Sequence, residues 1–184
     1  MRWDGLFADL EAQAAALDTA ERAAEIEERA RIGVAQLRLV DRLRAAVDSP
    51  IKLACTGGVV LDGLLRRVSP DWLLLDEGAG REAIVVVAAV LHVSGLGRFS
   101  AAASLGVVES RLGLRHALRG VARDRVPVRL HLSDASVLSG TLDRIGSDFV
   151  ELAAHAAGEP RRRGDVRDVL VVALGNVVVV RRDG

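Results

Sequence analysis

Apolar and polar residues alternate in a pattern that occurs twice along the chain. In the stretch VPVRLHL, residues 126–132, valine and leucine alternate with arginine and histidine. A period of two is typical of a strand with one buried face. Residues 49–75 align without a gap with residues 126–152, and Gly63 then falls on Gly140. A self-match of this kind predicts two copies of one structural unit.

Each copy predicts three strands separated by short turns. Ser133-Asp134-Ala135 is a small, polar turn in which the aspartate can bond its own backbone. Gly63 and Gly140 lie inside the second strand of their copies and predict a bend there. The third strand opens with the largest side chain of the unit, Trp72 or Phe149.

A valine-rich tail follows each copy, at residues 84–93 and 169–180. Its β-branched residues favour strand over helix. Ala88-Ala89 and Gly175-Asn176 interrupt the two runs and predict a sharp bend between a fourth and a fifth strand. Five short, bent strands predict a small closed barrel, because closure removes exposed sheet edges. Since the tails carry almost no charge, we expect those of the two copies to pair with each other.

Apolar residues at spacings of three and four predict helices before each set of strands, ending at about residues 47 and 125. Asp48-Ser49-Pro50 ends the first, because the residue before proline is biased out of the helical region. The predicted fold class is α+β, with an N-terminal helical arm followed by two repeated helix-plus-five-stranded barrels. The predicted domains are the arm 1–31, the first helix-plus-barrel repeat 32–94, a linker and second helix 95–125, and the second barrel 126–184.

Two stretches of the repeat share a glycine followed by leucine and a closing apolar residue: GLLRRV at 63–68 and GTLDRI at 140–145. With a short helix in front and five bent strands, both units resemble the Sm-like small barrels. The chain as a whole also resembles conserved actinobacterial proteins of similar length. The family resemblance implies RNA binding. It supplies no site residue, because Leu74 and Glu151 lie near the place of the family's RNA-contacting asparagine.

The composition of the chain argues against several classes of function, including binding driven by overall charge and insertion into a membrane. The 184 residues carry a formal net charge of zero, and 3% of them are aromatic, with no tyrosine. No overall field therefore attracts nucleic acid or an acidic membrane, and base stacking has few partners. No apolar run approaches the roughly 20 residues of a membrane span. A single cysteine allows no disulfide within the chain, so we expect a cytoplasmic protein.

Residues with catalytic or metal-binding chemistry are few and scattered. Cys55 lies at an inward strand position, between Leu53 and the turn, and is predicted to be a small buried hydrophobe. Asp71 and Asp148 recur in the repeat after a turn, and each is predicted to bond local backbone amides. The histidines lack metal-ligand spacing and are predicted to be surface or part-buried residues: His92, His116, His131 and His155. We therefore expect no catalytic residues, no metal and no cofactor, and a protein that is not an enzyme.

One basic cluster, Arg161, Arg162 and Arg163, lies in the loop by which the second copy exceeds the first. Guanidinium groups match phosphate oxygens, so these arginines are the candidate phosphate-binding residues. The alternative is a solvated loop that keeps a hairpin soluble.

Two functions remain open. The first is a non-enzymatic tandem Sm-like binding module, acting on RNA or DNA as a regulator. The second is a protein-interaction or scaffold module that uses the helical arm and the barrel edges to bind a protein partner. In either case the tail strands, once paired within the chain, predict a monomer or a homodimer.

Overall fold

The structure of the protein is a computed structural model, and it describes the following residues: Arg22, Glu25, 34–100, 113–155 and 168–182. The chain divides into two units, Met1–Arg38 and Leu39–Gly184. In the first unit Arg22 and Glu25 are helical, and the rest of the predicted arm, 1–31, lies outside the described residues.

The second unit contains ten strands and two helices among its described residues. The helices are Leu39–Ala45 and Leu114–Asp124, which we call the Leu39 helix and the Leu114 helix. The strands of the first half are β1 Pro50–Cys55, β2 Val60–Val68, β3 Trp72–Gly78, β4 Arg81–Val86 and β5 Val90–Ser94. Those of the second half are β6 Pro127–Leu132, β7 Val137–Ile145, β8 Phe149–Ala154, β9 Asp168–Ala173 and β10 Val177–Arg182.

All ten strands form one antiparallel sheet in the order β5-β1-β2-β3-β4-β10-β6-β7-β8-β9. The sheet is open, because within the described part of the chain β5 and β9 each pair with a single neighbouring strand. The predicted fold class, a helical arm followed by two repeated helix-plus-five-stranded Sm-like barrels, is therefore wrong. Closure of each barrel was expected to remove exposed strand edges. Instead, β4 of the first half pairs with β10 of the second half at the centre of the sheet, and each covers an edge of the other.

The repeat survives as a repeat of strand order, since β10-β6-β7-β8-β9 matches β5-β1-β2-β3-β4. The predicted bends are also present: short 3-10 turns at Val87–Ala89 and Leu174–Asn176 separate the last two strands of each half. Gly63 and Gly140 occupy equivalent places. A Cβ added to either would lie 2.3 Å from a backbone oxygen of the neighbouring strand, so both positions require glycine.

The expected pairing of the two tails is confirmed by the junction of β4 and β10, where Val180 lies opposite Ile84 and Val179 opposite Val85. Neighbouring residues of β10 enter different cores, with Val179 in the first and Val180 in the second. β10 is buried on both faces because one face packs in the first core and the other in the second. This accounts for its run of four valines, which is typical of a doubly buried strand.

Each half has its own apolar core. The first contains Leu43 of the Leu39 helix and the inward residues of β1–β4. The second contains Leu114 and Leu118 of the Leu114 helix and the inward residues of β6–β8. Trp72 comes from the first half but is buried in the second core, so the halves are packed through side chains as well as through the sheet. No helix in the described residues is long and apolar enough to cross a membrane.

Candidate functional site

Charged side chains converge at the central junction of the sheet, where β3, β4, β10 and β6 lie side by side. The register places Arg181 of β10 opposite Ala83 of β4 on one side and opposite Arg129 of β6 on the other. The valines of β10 are buried, so the charges of this strand lie at its exposed end, after Val180. The junction therefore carries a polar site at the edge of the two cores.

A cleft of about 230 Å³ opens at this end of the strands, and we call it the seam cleft. Its lining comprises four arginines and two glutamates. The lining residues are Glu77, Arg81, Glu82, Arg129, Arg181 and Arg182. Arginine forks bind carboxylate and phosphate oxygens in pairs of hydrogen bonds, so this lining is suited to an oxyanion.

Arg181 is held in place by two partners. Its Nε and Nη2 donate to the two carboxylate oxygens of Glu77, each over 2.9 Å. Its Nη1 lies 3.2 Å from Nε2 of His131. The Arg181 and Glu77 side chains are 23% and 14% exposed, so this bidentate pair forms the fixed floor of the cleft.

His131 is neutral in this arrangement. A guanidinium group only donates hydrogen bonds, so Nε2 of His131 must accept from Arg181, and the ring proton then lies on Nδ1. Burial, followed by the charges of Arg181 and Arg129, lowers the pKa of His131 below its ordinary value, while Glu77 raises it. The lowered pKa reflects a positive potential around the cleft as well as desolvation.

The other three arginines of the lining are exposed. Arg129 lies directly opposite Arg181 on the neighbouring strand. Nη1 of Arg182 is 3.8 Å from Oε2 of Glu82, which is a long ion pair. Nε of Arg81 donates to the Gly78 carbonyl over 3.4 Å.

A second, apolar recess of about 100 Å³ adjoins the seam cleft. The two share Glu82 and Arg182. The remaining lining comes from the strands, from the end of the Leu114 helix and from the connection that follows it: Leu74, Ile84, Val121, Asp124, Val126 and Val180. An engineered apolar cavity of about 150 Å³ holds benzene, so this recess is too small for an aromatic base. It cannot supply a base-binding pocket to the cleft.

The candidate phosphate-binding residues Arg161, Arg162 and Arg163 lie outside the described residues, so their role stays a prediction. Cys55 is buried as predicted, and burial raises the pKa of its thiol to about 11. At neutral pH this thiol is protonated and is not a nucleophile.

The prediction for Asp71 is wrong, because its carboxylate does not bond a local amide. Oδ2 of Asp71 accepts the backbone N–H of Leu114 over 3.0 Å and so caps the Leu114 helix from a distant strand turn. The side chain of Asp148 contacts the neighbouring Ser147 hydroxyl over 3.2 Å. The local backbone bond predicted for such turns is present at Asp134, which accepts the Ser136 amide over 2.9 Å.

His155 is also not the surface or part-buried residue that was predicted. It is buried, and its Nε2 lies 2.8 Å from Oγ1 of Thr141, which is fully buried. A hydroxyl beside an imidazole is a possible nucleophile and base, but a substrate cannot reach a pair sealed in this way. The pair serves to satisfy two buried polar side chains. In the described part of the chain no group of three or more His, Cys, Asp or Glu residues could hold a metal ion.

Sequence analysis missed the residues of the seam cleft. Their only local signal is that Arg129, Arg181 and Arg182 follow or interrupt apolar runs at strand positions. That signal becomes a site only when the register of β4, β10 and β6 is known. No protein-family model, curated protein or solved structure matches the chain. The resemblance to Sm-like proteins therefore stays a prediction, and the function must be proposed from the cleft itself.

Proposed function

We propose that the protein is a non-catalytic binding module that holds phosphate groups of a nucleic acid in the seam cleft, as a regulator acting in the cytoplasm. The observation that supports this proposal is the cleft lined by four arginines and two glutamates. Its volume of about 230 Å³ is below the 300–1,000 Å³ typical of small-molecule pockets, so it fits a charged group and not a whole nucleotide. Binding through phosphate alone is independent of base sequence.

The exposure of the arginines in the cleft indicates which of them meet the ligand. Arg181 is occupied by Glu77, and Arg182 is opposed by Glu82. Arg81 and Arg129 belong to the same lining, and both are exposed. We expect these two side chains to make phosphate contacts, with Arg161, Arg162 and Arg163 as further candidate contacts.

Fluorescence anisotropy with single-stranded RNA and DNA of one sequence, over a range of salt, tests this proposal. For a single strand each phosphate contact contributes about 0.7 to the slope of log K against log salt, so R81A/R129A should reduce it by about 1.4. The control R115A/R119A removes two exposed arginines from the Leu114 helix and should leave the slope unchanged. A slope that falls equally in both double variants would show that only general charge matters and would refute the cleft.

A second candidate function is self-association through the edge of the sheet. Val169 and Val171 of β9 are 50% and 67% exposed, on a strand that has one neighbour within the described residues. The equivalent strand of the first half, β4, has its edge covered by β10. We propose that a second copy covers β9, with two β9 strands antiparallel across a two-fold axis, which closes the assembly as a homodimer.

Light scattering tests the dimer. Wild-type protein should have the mass of two chains and V169K/V171K the mass of one, because lysine on an edge strand blocks strand addition. A single-chain mass for the wild-type protein would remove this candidate, and a mass of three or more chains would show that the edges pair in an open series.

A further inference from the structure

We propose that the apolar recess beside the seam cleft binds a free α-amino acid with a branched aliphatic side chain, leucine or isoleucine. This site goes beyond the proposed function and does not rest on it, because the ligand lies between the sheet and the Leu114 helix. Three features of the recess support it: its apolar floor, its volume and the charges at its mouth.

The floor of the recess is a row of apolar side chains on three adjacent strands. The register places Leu74 of β3 opposite Ile84 of β4, and Ile84 opposite Val180 of β10. Residues directly opposite each other on neighbouring strands lie on one face of a sheet, so these side chains form one surface. Val121 of the Leu114 helix also lines the recess. Leu74, Ile84 and Val121 pack against the second core but are only partly buried, so the recess is an open corner of that core.

The volume of the recess sets the size of the apolar group that it accepts. A cavity of about 150 Å³ holds the six carbons of benzene, so a recess of about 100 Å³ holds about four carbons. The side chains of leucine and isoleucine match this size. The side chain of alanine leaves most of the recess unfilled, and an aromatic ring exceeds it.

Two opposite charges lie at the mouth of the recess. Glu82 precedes Ile84 by two residues and Arg182 follows Val180 by two, so both lie on the face of the sheet that forms the floor. Nη1 of Arg182 is 3.8 Å from Oε2 of Glu82, which is longer than a hydrogen bond. A ligand that carries an ammonium and a carboxylate on one carbon can meet Glu82 with the first and Arg182 with the second while its side chain contacts the floor.

Asp124 makes the ammonium end of the ligand necessary. It is the last residue of the Leu114 helix, where the helix dipole favours a cation over an acid. Its ion pair with Arg123 spans 3.8 Å between side chains that are 58% and 84% exposed, and such a surface pair contributes little. An ammonium near Asp124 and Glu82 meets two carboxylates and the negative end of the helix. A fatty acid would bring a third negative charge to the same place, so the recess favours the zwitterion.

The test is a titration of the full chain with L-leucine, followed by the NMR signals of the Val121 and Ile84 methyl groups. Each buried CH₂ changes affinity about fourfold, so leucine should bind about fiftyfold more tightly than alanine. Leucinamide, which lacks the carboxylate, and 4-methylpentanoate, which lacks the ammonium, should each bind about fivefold more weakly than leucine.

Two variants locate the ligand. V121F places a larger side chain in the recess and should abolish leucine binding, with circular dichroism to check that the variant is folded. D124N removes an exposed charge without changing the core and should weaken leucine about threefold. Its control, D148N, removes an exposed carboxylate that lies outside the recess lining and should leave the affinity unchanged.

Every other outcome contradicts the proposal. No saturable shift with leucine, or equal binding of leucine and 4-methylpentanoate, would show that the recess does not recognise an amino acid. Leucinamide binding as tightly as leucine would assign the recess to the N-terminal residue of a peptide instead. R81A/R129A alters the seam cleft but not the lining of the recess, so it should leave leucine binding unchanged. Loss of leucine binding in that variant would place the amino acid in the cleft, whereas the phosphate proposal is decided by the salt dependence alone.

Discussion

The cap that Asp71 provides for the Leu114 helix allows a sharp test of how the structure is held together. The first N–H groups of a helix have no partner within it, and Gly113, which precedes this helix, has no side chain to offer them. Oδ2 of Asp71 accepts the N–H of Leu114 over 3.0 Å, and its negative charge lies at the positive end of the helix dipole. Leu114 and Leu118 of this helix belong to the second core, so the cap also fixes the position of core residues.

Replacing Asp71 with alanine removes the acceptor and the charge together. Loss of an N-terminal cap costs about 0.5–2 kcal/mol, and this site is part-buried, so we expect the free energy of unfolding to fall by about 1–2 kcal/mol. The bond from the Val87 N–H to the backbone carbonyl of Asp71 is unaffected by the substitution. D71N retains an acceptor without the charge and should lose about half as much as D71A.

Urea unfolding followed by circular dichroism measures the effect. With a slope of about 2 kcal/mol per molar urea, D71A should shift the midpoint down by about 0.5–1 M. The chain contains a matched control, because Asp148 occupies the same place in the repeat and its carbonyl accepts the equivalent bond from Leu174, but its carboxylate contacts only Ser147 among the described bonds. We expect D148A to change stability by less than about 0.5 kcal/mol. Equal losses in D71A and D148A would refute the capping role.

Four further predictions follow from single residues. G140A should destabilise the protein by about 1–3 kcal/mol in urea unfolding, because its Cβ would lie 2.3 Å from the Ala153 oxygen. G120A should stabilise it by about 0.5–1 kcal/mol, because the space around this helical glycine is open; a loss of stability would contradict this. Cys55 should react with a thiol reagent at pH 8 only after unfolding, since its pKa is about 11 in the folded protein. His131 has a lowered pKa when folded, so the unfolded chain binds more protons and stability should decrease as pH falls below about 6.5; H131Q should flatten this dependence.

The local structure could be predicted from the sequence because each strand carries its own pattern. The alternation of apolar and polar residues predicts β6, and the paired small residues predict the bends before β5 and β10. The repeat predicts that Gly63 and Gly140 occupy equivalent positions. Closure of the sheet could not be predicted in this way. Whether a fourth strand returns to its own barrel or joins another strand depends on long-range pairing, and the composition of the strand is compatible with both.

The two tails nevertheless differ in a way that corresponds to their places in the sheet. The last strand of the second half contains four consecutive buried valines, whereas that of the first half includes the exposed Leu91 and His92. A strand buried on both faces needs apolar residues at every position, and an edge strand does not. This contrast was visible in the sequence, and it indicates that β10 is central and β5 is at the edge.

The seam cleft could not be predicted because its lining comes from both halves of the repeat. Glu77, Arg81 and Glu82 belong to the first half, and Arg129, Arg181 and Arg182 belong to the second. Each group alone resembles an ordinary set of charged strand ends. The site exists only when the register brings Arg181 opposite Ala83 and Arg129 at once.

The division of charge in this lining links the fold to the proposed function. The residues from the first half carry two acids and one base, while those from the second half carry three bases. Two ion pairs of the cleft, Arg181 with Glu77 and Arg182 with Glu82, cross from one half to the other. The attraction between the two groups thus favours the pairing of β4 with β10 in this register. Because both halves contribute to the lining, the cleft is complete only when they pair in this register, so the tandem arrangement is what creates it.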